Sequence, residues 1–130
     1  MEHEAAFVKA FIVPAKRARY AQFLAIPKRR PEVLERFNRE LAYLPALATE
    51  VPGDQDFPEA LETLLMSKGA GSRCHVMVDG LKIDGHELPL RDALRAIFMH
   101  RGGAVLSCVP GRLAYYKPEA PAAGILLEAR

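Results

Sequence analysis

The chain has 130 residues, of which half are apolar and 26% are charged, and its formal net charge is +2. This composition is typical of one globular domain that needs no metal or disulfide staple, and it argues against disorder. No apolar run approaches the ~20 residues of a membrane-spanning helix, and so small a charge does not indicate a nucleic-acid partner. We expect a single domain over residues 1–130, and a cytoplasmic one because the start is acidic where a secretory signal is basic.

The first half of the chain predicts one strand followed by helices. Residues 6–13 alternate and are rich in aromatic and β-branched side chains, which favours a strand that ends at Pro14. Apolar residues then recur on one face of three predicted helices, over residues 15–25, 31–44 and 58–68. Asp56 followed by Glu59 resembles a capping box for the third helix. Residues 45–57, which contain Pro52-Gly53-Asp54, are predicted to form a surface loop.

The second half predicts a strand, a helix and a hairpin. Residues 74–78 form a β-branched run that ends at Asp79-Gly80, and residues 81–83 fit either a short return strand or a loop. The spacing of apolar residues predicts an amphipathic helix over residues 89–100. Strands over residues 104–109 and 112–117 follow, and Pro110-Gly111 between them favours a loop wider than a two-residue hairpin turn.

The predicted order of elements is β-α-α-α-β-(β)-α-β-β. The strands are too few and too grouped for a doubly wound parallel sheet. We therefore predict an α+β fold, with a mainly antiparallel sheet of four to five strands packed with about four helices.

A cluster of six cations in the first half is the first candidate site. No acidic residue interrupts the cluster, so it predicts either a solvated rim or a weak binding site for an anion. Arg36 and Arg39 are left out because Glu32 and Glu35 precede them by one helical turn and offset their charge. The cluster consists of Lys16, Arg17, Arg19, Lys28, Arg29 and Arg30.

Thiol and imidazole chemistry is the second candidate. Strand alternation places Cys74 and Cys108 on core-facing sides, which predicts two buried free thiols, and it turns His75 away from Cys74. An enzyme remains the alternative prediction, with a His/Ser or Cys site on the sheet. That site would use His75, Ser107, Cys108 and Tyr116; we assign no catalytic role to other residues.

Three potential metal ligands, Asp84, His86 and Glu87, precede the helix predicted over residues 89–100. Zinc sites usually draw ligands from two separated segments of a chain. We therefore interpret Asp84 as a turn residue and the other two as solvent-facing, and we predict neither a metal nor a cofactor.

The sheet face opposite the cysteines is predicted to be apolar. Alternation turns His75, Met77, Val105, Ser107, Arg112 and Tyr116 outward, and Phe7 and Phe11 join them if residues 6–13 are a strand. An exposed patch of this kind marks an interaction surface, unless the chain's own helices cover it. If a second copy of the chain covers this patch, we predict a two-fold homodimer through Phe7, Phe11, Met77, Val105 and Tyr116.

These patterns predict a non-enzymatic binding or regulatory protein that self-associates. Its partner would be a protein or an anionic molecule that contacts the basic N-terminal surface. A nucleic acid is not expected, because the chain has no zinc finger, no RNP-like motif and no glycine-rich phosphate loop. The alternatives are the small enzyme described above and a structural subunit of a larger assembly.

Overall fold

A computed structural model describes residues 2–130 and confirms the α+β fold. Its helices are α1 (Glu2–Phe11), α2 (Pro14–Leu24), α3 (Arg30–Leu34), α4 (Arg36–Arg39), α5 (Pro58–Ser67) and α6 (Leu90–Phe98). Its strands are β1 (Ala48–Glu50), β2 (Arg73–Val78), β3 (Glu87–Pro89), β4 (Ala104–Val109), β5 (Leu113–Lys117) and β6 (Ile125–Glu128). No helix among the described residues has the length and apolar character needed to cross a membrane.

The strands form one antiparallel sheet in the order β1-β6-β5-β4-β2-β3. The predicted strands 74–78, 104–109 and 112–117 are confirmed as β2, β4 and β5. The sheet has six strands instead of four or five, because β1 lies in the predicted 45–57 loop and β6 was not predicted. Residues 81–83 form a loop, which was one of the two alternatives, and the strand that returns along β2 is β3. A three-residue connection with Gly111 at φ 69° and a register shift in β4 confirm the wide hairpin loop.

Helices cover both faces of the sheet, so the chain has two apolar cores. Cys74, Val76 and Val78 of β2 pack with α5 and α6, as alternation predicts. Met77 points to the other face, where the apolar sides of α1 to α4 pack.

The strand predicted over residues 6–13 is wrong, because residues 6–11 belong to α1. Phe7, Val8 and Phe11 lie on one face of this helix and are all buried, whereas Lys9 is exposed. Aromatic and β-branched residues favour a strand only weakly, and tertiary packing overrides that preference. Ile12 alone forms a strand-like bridge, with Tyr43.

The prediction that these five interface residues form an exposed surface is also wrong. Phe7, Phe11, Met77, Val105 and Tyr116 are each at most 2% exposed, because α1 to α4 cover this face. The structure has the other arrangement that was considered, in which the chain's own helices cover this face of the sheet. Self-association itself is not tested by this arrangement and stays a prediction.

The helix predicted over residues 31–44 is shorter than expected. It is interrupted at Glu35 and ends at Arg39, after which the chain extends beside the connection between α1 and α2. There the Val13 amide donates to the Ala42 carbonyl at 2.9 Å and the Leu44 amide donates to the Phe11 carbonyl at 2.7 Å. These bonds to a distant segment replace the last helical turn.

The predicted capping box does not form. Phe57 occupies the N-cap position of α5 and makes no side-chain cap bond. Asp56 instead accepts hydrogen bonds from the Tyr115 hydroxyl at 2.6 Å and the Gly124 amide at 2.9 Å. This carboxylate therefore fastens the C-terminal segment to β5.

Candidate functional site

The six cations of the predicted anion site do not form one patch. Arg17 donates to the Ile12 carbonyl at 2.8 Å, and Lys28 is exposed. Arg29 pairs with Glu32 and lies over the Phe23 ring, 4.2 Å from its centroid. Arg30 points inward. Of the six cations, Lys16 and Arg19 line one cavity, together with Arg36.

Arg30 is the centre of a largely buried ionic network. Its Nη1 donates to Glu4 Oε1 at 2.6 Å and to the Leu24 carbonyl at 3.0 Å. Its Nη2 donates to Glu4 Oε2 at 2.6 Å and to Asp84 Oδ1 at 3.0 Å, and Nε donates to Asp84 Oδ2 at 2.7 Å. A guanidinium has five N–H groups, and all five are used here. Arg30 is therefore not available to bind an anion.

Each carboxylate of this network has a further partner. Glu4 Oε2 accepts a hydrogen bond from His75 Nε2 at 2.6 Å, and Asp84 Oδ1 accepts one from the Val78 amide at 3.0 Å. The network therefore joins α1, the start of α3, strand β2 and the loop before β3. Bidentate bonds from arginine to carboxylates are among the stronger hydrogen bonds in proteins.

His3 extends this network to β4. Its Nδ1 lies 2.7 Å from the Ser107 hydroxyl, and its ring stacks on His75 with 5.4 Å between the centroids. His75 and Ser107 are direct partners across β2 and β4, so the strand register places both beneath the first turn of α1. Ser107 is only 1% exposed.

The electrostatics of the network follow from burial and hydrogen bonding. Burial alone would raise the pKa of Glu4, but hydrogen bonds from Arg30 and His75 outweigh it and lower the pKa to about 2. Burial, together with the nearby His75, lowers the pKa of His3. The hydrogen bonds to Glu4 raise the pKa of Arg30 further above its ordinary value. The network therefore holds an ionised Glu4 and an Arg30 cation near neutral pH.

The four residues of the predicted enzyme site are not brought together. His75 and Ser107 share one face and lie close to each other, but Cys108 points to the opposite core. Burial raises the pKa of Cys108 above its ordinary value and that of Cys74 to about 12. The Tyr116 hydroxyl donates to the Phe37 carbonyl at 2.6 Å. His3 and Glu4, which the structure places beside His75 and Ser107, were not among the predicted site residues.

Both cysteines are buried and free, as predicted. We expect neither thiol to react with a thiol reagent in the native state and both to react after unfolding, because only the thiolate is nucleophilic. Counting modified thiols by absorbance, with and without denaturant, tests this expectation. Rapid modification of the native protein at Cys108 would instead support the cysteine nucleophile.

The three potential metal ligands, Asp84, His86 and Glu87, do not converge. Asp84 is engaged by Arg30, Glu87 pairs with Arg73 at 2.7 Å, and His86 is exposed. Within residues 2–130, no group of three or more His, Cys, Asp or Glu side chains is arranged to hold a metal ion.

A cavity of about 440 Å³ lies between α2 and the α3–α4 segment, and we call it the α2/α3 cleft. Its apolar surface includes buried Tyr20, Val33 and Leu41, with half-buried Phe23. An exposed rim of both signs surrounds this surface. The rim consists of Lys16, Arg19, Glu32, Arg36 and Glu40.

The pairing of the rim cations can be compared with that of the other basic residues. Lys16, Arg19 and Arg36 form no salt bridge in the part of the chain that the structure describes. Glu32, which was expected to offset Arg36, pairs with Arg29 instead. The expected offset of Arg36 by Glu32 is therefore not formed as a salt bridge within residues 2–130. Three cations and two carboxylates thus line the cleft beside its apolar surface.

In two other cavities the lysine and tyrosine side chains are engaged by neighbouring groups, although Arg112 and Arg130 line the larger one without a salt bridge within residues 2–130. One of about 260 Å³ is lined by Tyr115 and Lys117, but the Lys117 ammonium donates to the carbonyls of His100 and Gly102, each at 3.0 Å. The Tyr115 hydroxyl is likewise engaged, by Asp56. A groove of about 730 Å³ beside β6 contains Lys68, which pairs with Glu128 at 3.6 Å.

Comparisons of the chain with known protein families, with curated proteins and with solved structures found no match.

Proposed function

We propose that this chain is a non-enzymatic, cytoplasmic binding domain whose ligand is a small organic anion with an apolar or aromatic part. The α2/α3 cleft is the proposed site. The observation that carries the proposal is the combination of Lys16, Arg19 and Arg36, none of them in a salt bridge within residues 2–130, with an aromatic and aliphatic surface. Ligand sites typically combine an apolar lining with a few polar groups that orient the ligand.

The charges of the rim limit the class of ligand. Glu32 and Glu40 lie on the same rim as the three cations, so the cleft does not present a continuous basic surface. A polyanion such as a nucleic acid needs several phosphate contacts along its backbone. A small molecule with one anionic group and an apolar body fits this mixed rim better.

The enzyme alternative has one observation in its favour, the 2.7 Å distance between His3 Nδ1 and the Ser107 hydroxyl. A serine nucleophile must also reach its substrate, and Ser107 is only 1% exposed beneath α1. We favour the binding function for this reason. Covalent labelling of Ser107 in the native protein by a fluorophosphonate would reverse that preference.

The test of the proposed site is a fluorescence titration with anilinonaphthalene sulfonate, an aromatic anion. We expect the Arg19→Ala and Arg36→Ala variants each to bind this probe up to about fivefold more weakly, since a solvent-exposed ion pair contributes up to about 1 kcal/mol. Added salt should weaken binding by the wild type. Neutral anilinonaphthalene, which lacks the sulfonate, should bind more weakly than the anion.

Lys82→Ala is the matched control, because Lys82 is exposed, carries the same charge and does not line the cleft. This variant should bind the probe as the wild type does. Equal losses in Lys82→Ala and Arg19→Ala would indicate a general charge effect. Unchanged binding in both cleft variants would refute the proposed site.

A further inference from the structure

Arg30 lies at the corner where the two walls of the α2/α3 cleft meet. It is the first residue of α3, and its guanidinium donates to the carbonyl of Leu24, the last residue of α2, at 3.0 Å. The side chain does not line the cleft. A single group thus ties the end of one wall to the beginning of the other.

The same guanidinium anchors this corner to the rest of the protein. Four further hydrogen bonds join it to Glu4 on α1 and to Asp84 in the loop between β2 and β3. Glu4 is held in turn by His75 on β2, the strand between β4 and the edge strand β3. The relative position of α2 and α3 therefore depends on contacts that lie outside the cleft.

We propose that Arg30 is a positioning residue for the α2/α3 cleft, which it holds at ligand-binding width through Glu4 and Asp84. The inference rests on the proposed function, because it concerns the affinity of that site. Lysine cannot replace arginine in this role: its ammonium has three N–H groups, whereas the planar guanidinium serves five acceptor contacts in a fixed geometry. Binding at the cleft is thereby coupled to a network that no ligand touches.

The Glu4→Gln variant gives this proposal a sharp test with anilinonaphthalene sulfonate. Removing a negative charge should by charge alone strengthen the binding of an anion. The positioning role predicts the opposite sign, a loss of about fivefold in affinity, which is the lower end of typical couplings between sites. Glu2→Gln is the matched control, because exposed Glu2 lies on the same helix and loses the same charge. It should bind the probe as well as the wild type or slightly better.

The double variant Glu4→Gln/Arg30→Lys distinguishes a shared role from two separate defects. Residues that act as one unit have non-additive effects, so the double variant should bind the probe about as weakly as Arg30→Lys alone. Losses that multiply would contradict the proposal. If Glu4→Gln does not fold, Asp84→Asn loosens the same guanidinium from the side of the β2–β3 loop.

A ligand-free measurement separates this inference from the proposed function. The amide NMR signals of Tyr20, Val33 and Leu41, which line the cleft, should shift in Glu4→Gln and stay in place in Glu2→Gln. Unshifted signals in Glu4→Gln would overturn the positioning role whether or not the probe binds. If the signals shift in Glu4→Gln but the wild-type protein fails to bind the probe, the proposed function is refuted and the positioning role stays supported.

Discussion

Replacing Arg30 with methionine is expected to destabilise the native state by about 3 kcal/mol or more. Removing one partner of a buried ion pair leaves the other charge without compensation, which typically costs about 3–5 kcal/mol. Here the substitution leaves two carboxylates, Glu4 and Asp84, whose side chains are only 9% and 19% exposed. Methionine has a similar length and no charge, so the loss comes from the ionic network and not from a large cavity.

Arg29 provides a control at the next position. Its side chain is 48% exposed and pairs with Glu32, which is itself 51% exposed. Exposed ion pairs contribute about 0–1 kcal/mol, so Arg29→Met should change the free energy of unfolding by less than about 1 kcal/mol. Urea unfolding followed by circular dichroism measures both variants. Equal stability of the two variants would show that the Arg30 network does not stabilise the fold.

The contrast between these neighbours shows what a local pattern conceals. Both arginines belong to the same basic run, and nothing in their immediate neighbours distinguishes the exposed one from the buried one. The partners of Arg30 are 26 and 54 positions away in the chain. Pairings over such separations are set by the topology of the sheet and the helices on it, so spacing rules cannot reveal them.

Periodic elements were predictable, and ambiguous ones were not. Helix α6 and strands β2, β4 and β5 have clear apolar spacing bounded by turn residues, and all four form as predicted. In α1 the apolar residues fit both a strand and a helix. Glu4 decides between them in the structure, because only a helix places it on the same side as Phe7 and Phe11.

Two short strands, β1 at the edge of the sheet and β6 beside it, were not predicted from the sequence. β1 has three residues and β6 has four, and β1 is largely polar and partly exposed. Strands this short give little alternation to recognise. They form because each adds backbone hydrogen bonds to a sheet that is already in place.

We expect the protein to lose stability in two stages as the pH falls. Glu4 contributes the larger stage. Its pKa is about 2 in the folded protein, against an ordinary value of 4.5, so the folded state holds the ionised form more strongly than the unfolded chain does. The stabilisation is present above about pH 4.5 and is lost as the pH falls towards 2. Linkage between these two values gives a loss of about 3 kcal/mol.

His3 contributes the first stage and has the same sign. Its pKa is lowered from 6.5 in the folded protein because burial and the nearby His75 disfavour its charged form. The unfolded chain then binds the proton more readily, so stability falls as the pH drops below about 6.5. His3→Asn should remove this stage and leave the Glu4 stage in place.

Unfolding free energies from urea titrations at several values between about pH 8 and pH 3 test both stages. Glu4→Gln should be less stable than the wild type near neutral pH, since it loses the ionic contact with Arg30 and the charge that His75 contacts. Below about pH 4.5 its stability should depend less on pH than that of the wild type, and the two curves should approach each other. The reason is that the unfolded wild-type chain takes up a proton at Glu4, which the folded protein does not bind until the pH approaches 2. Parallel curves throughout this range would contradict the assignment of the acid transition to Glu4. They would place its origin in ionisable groups other than Glu4.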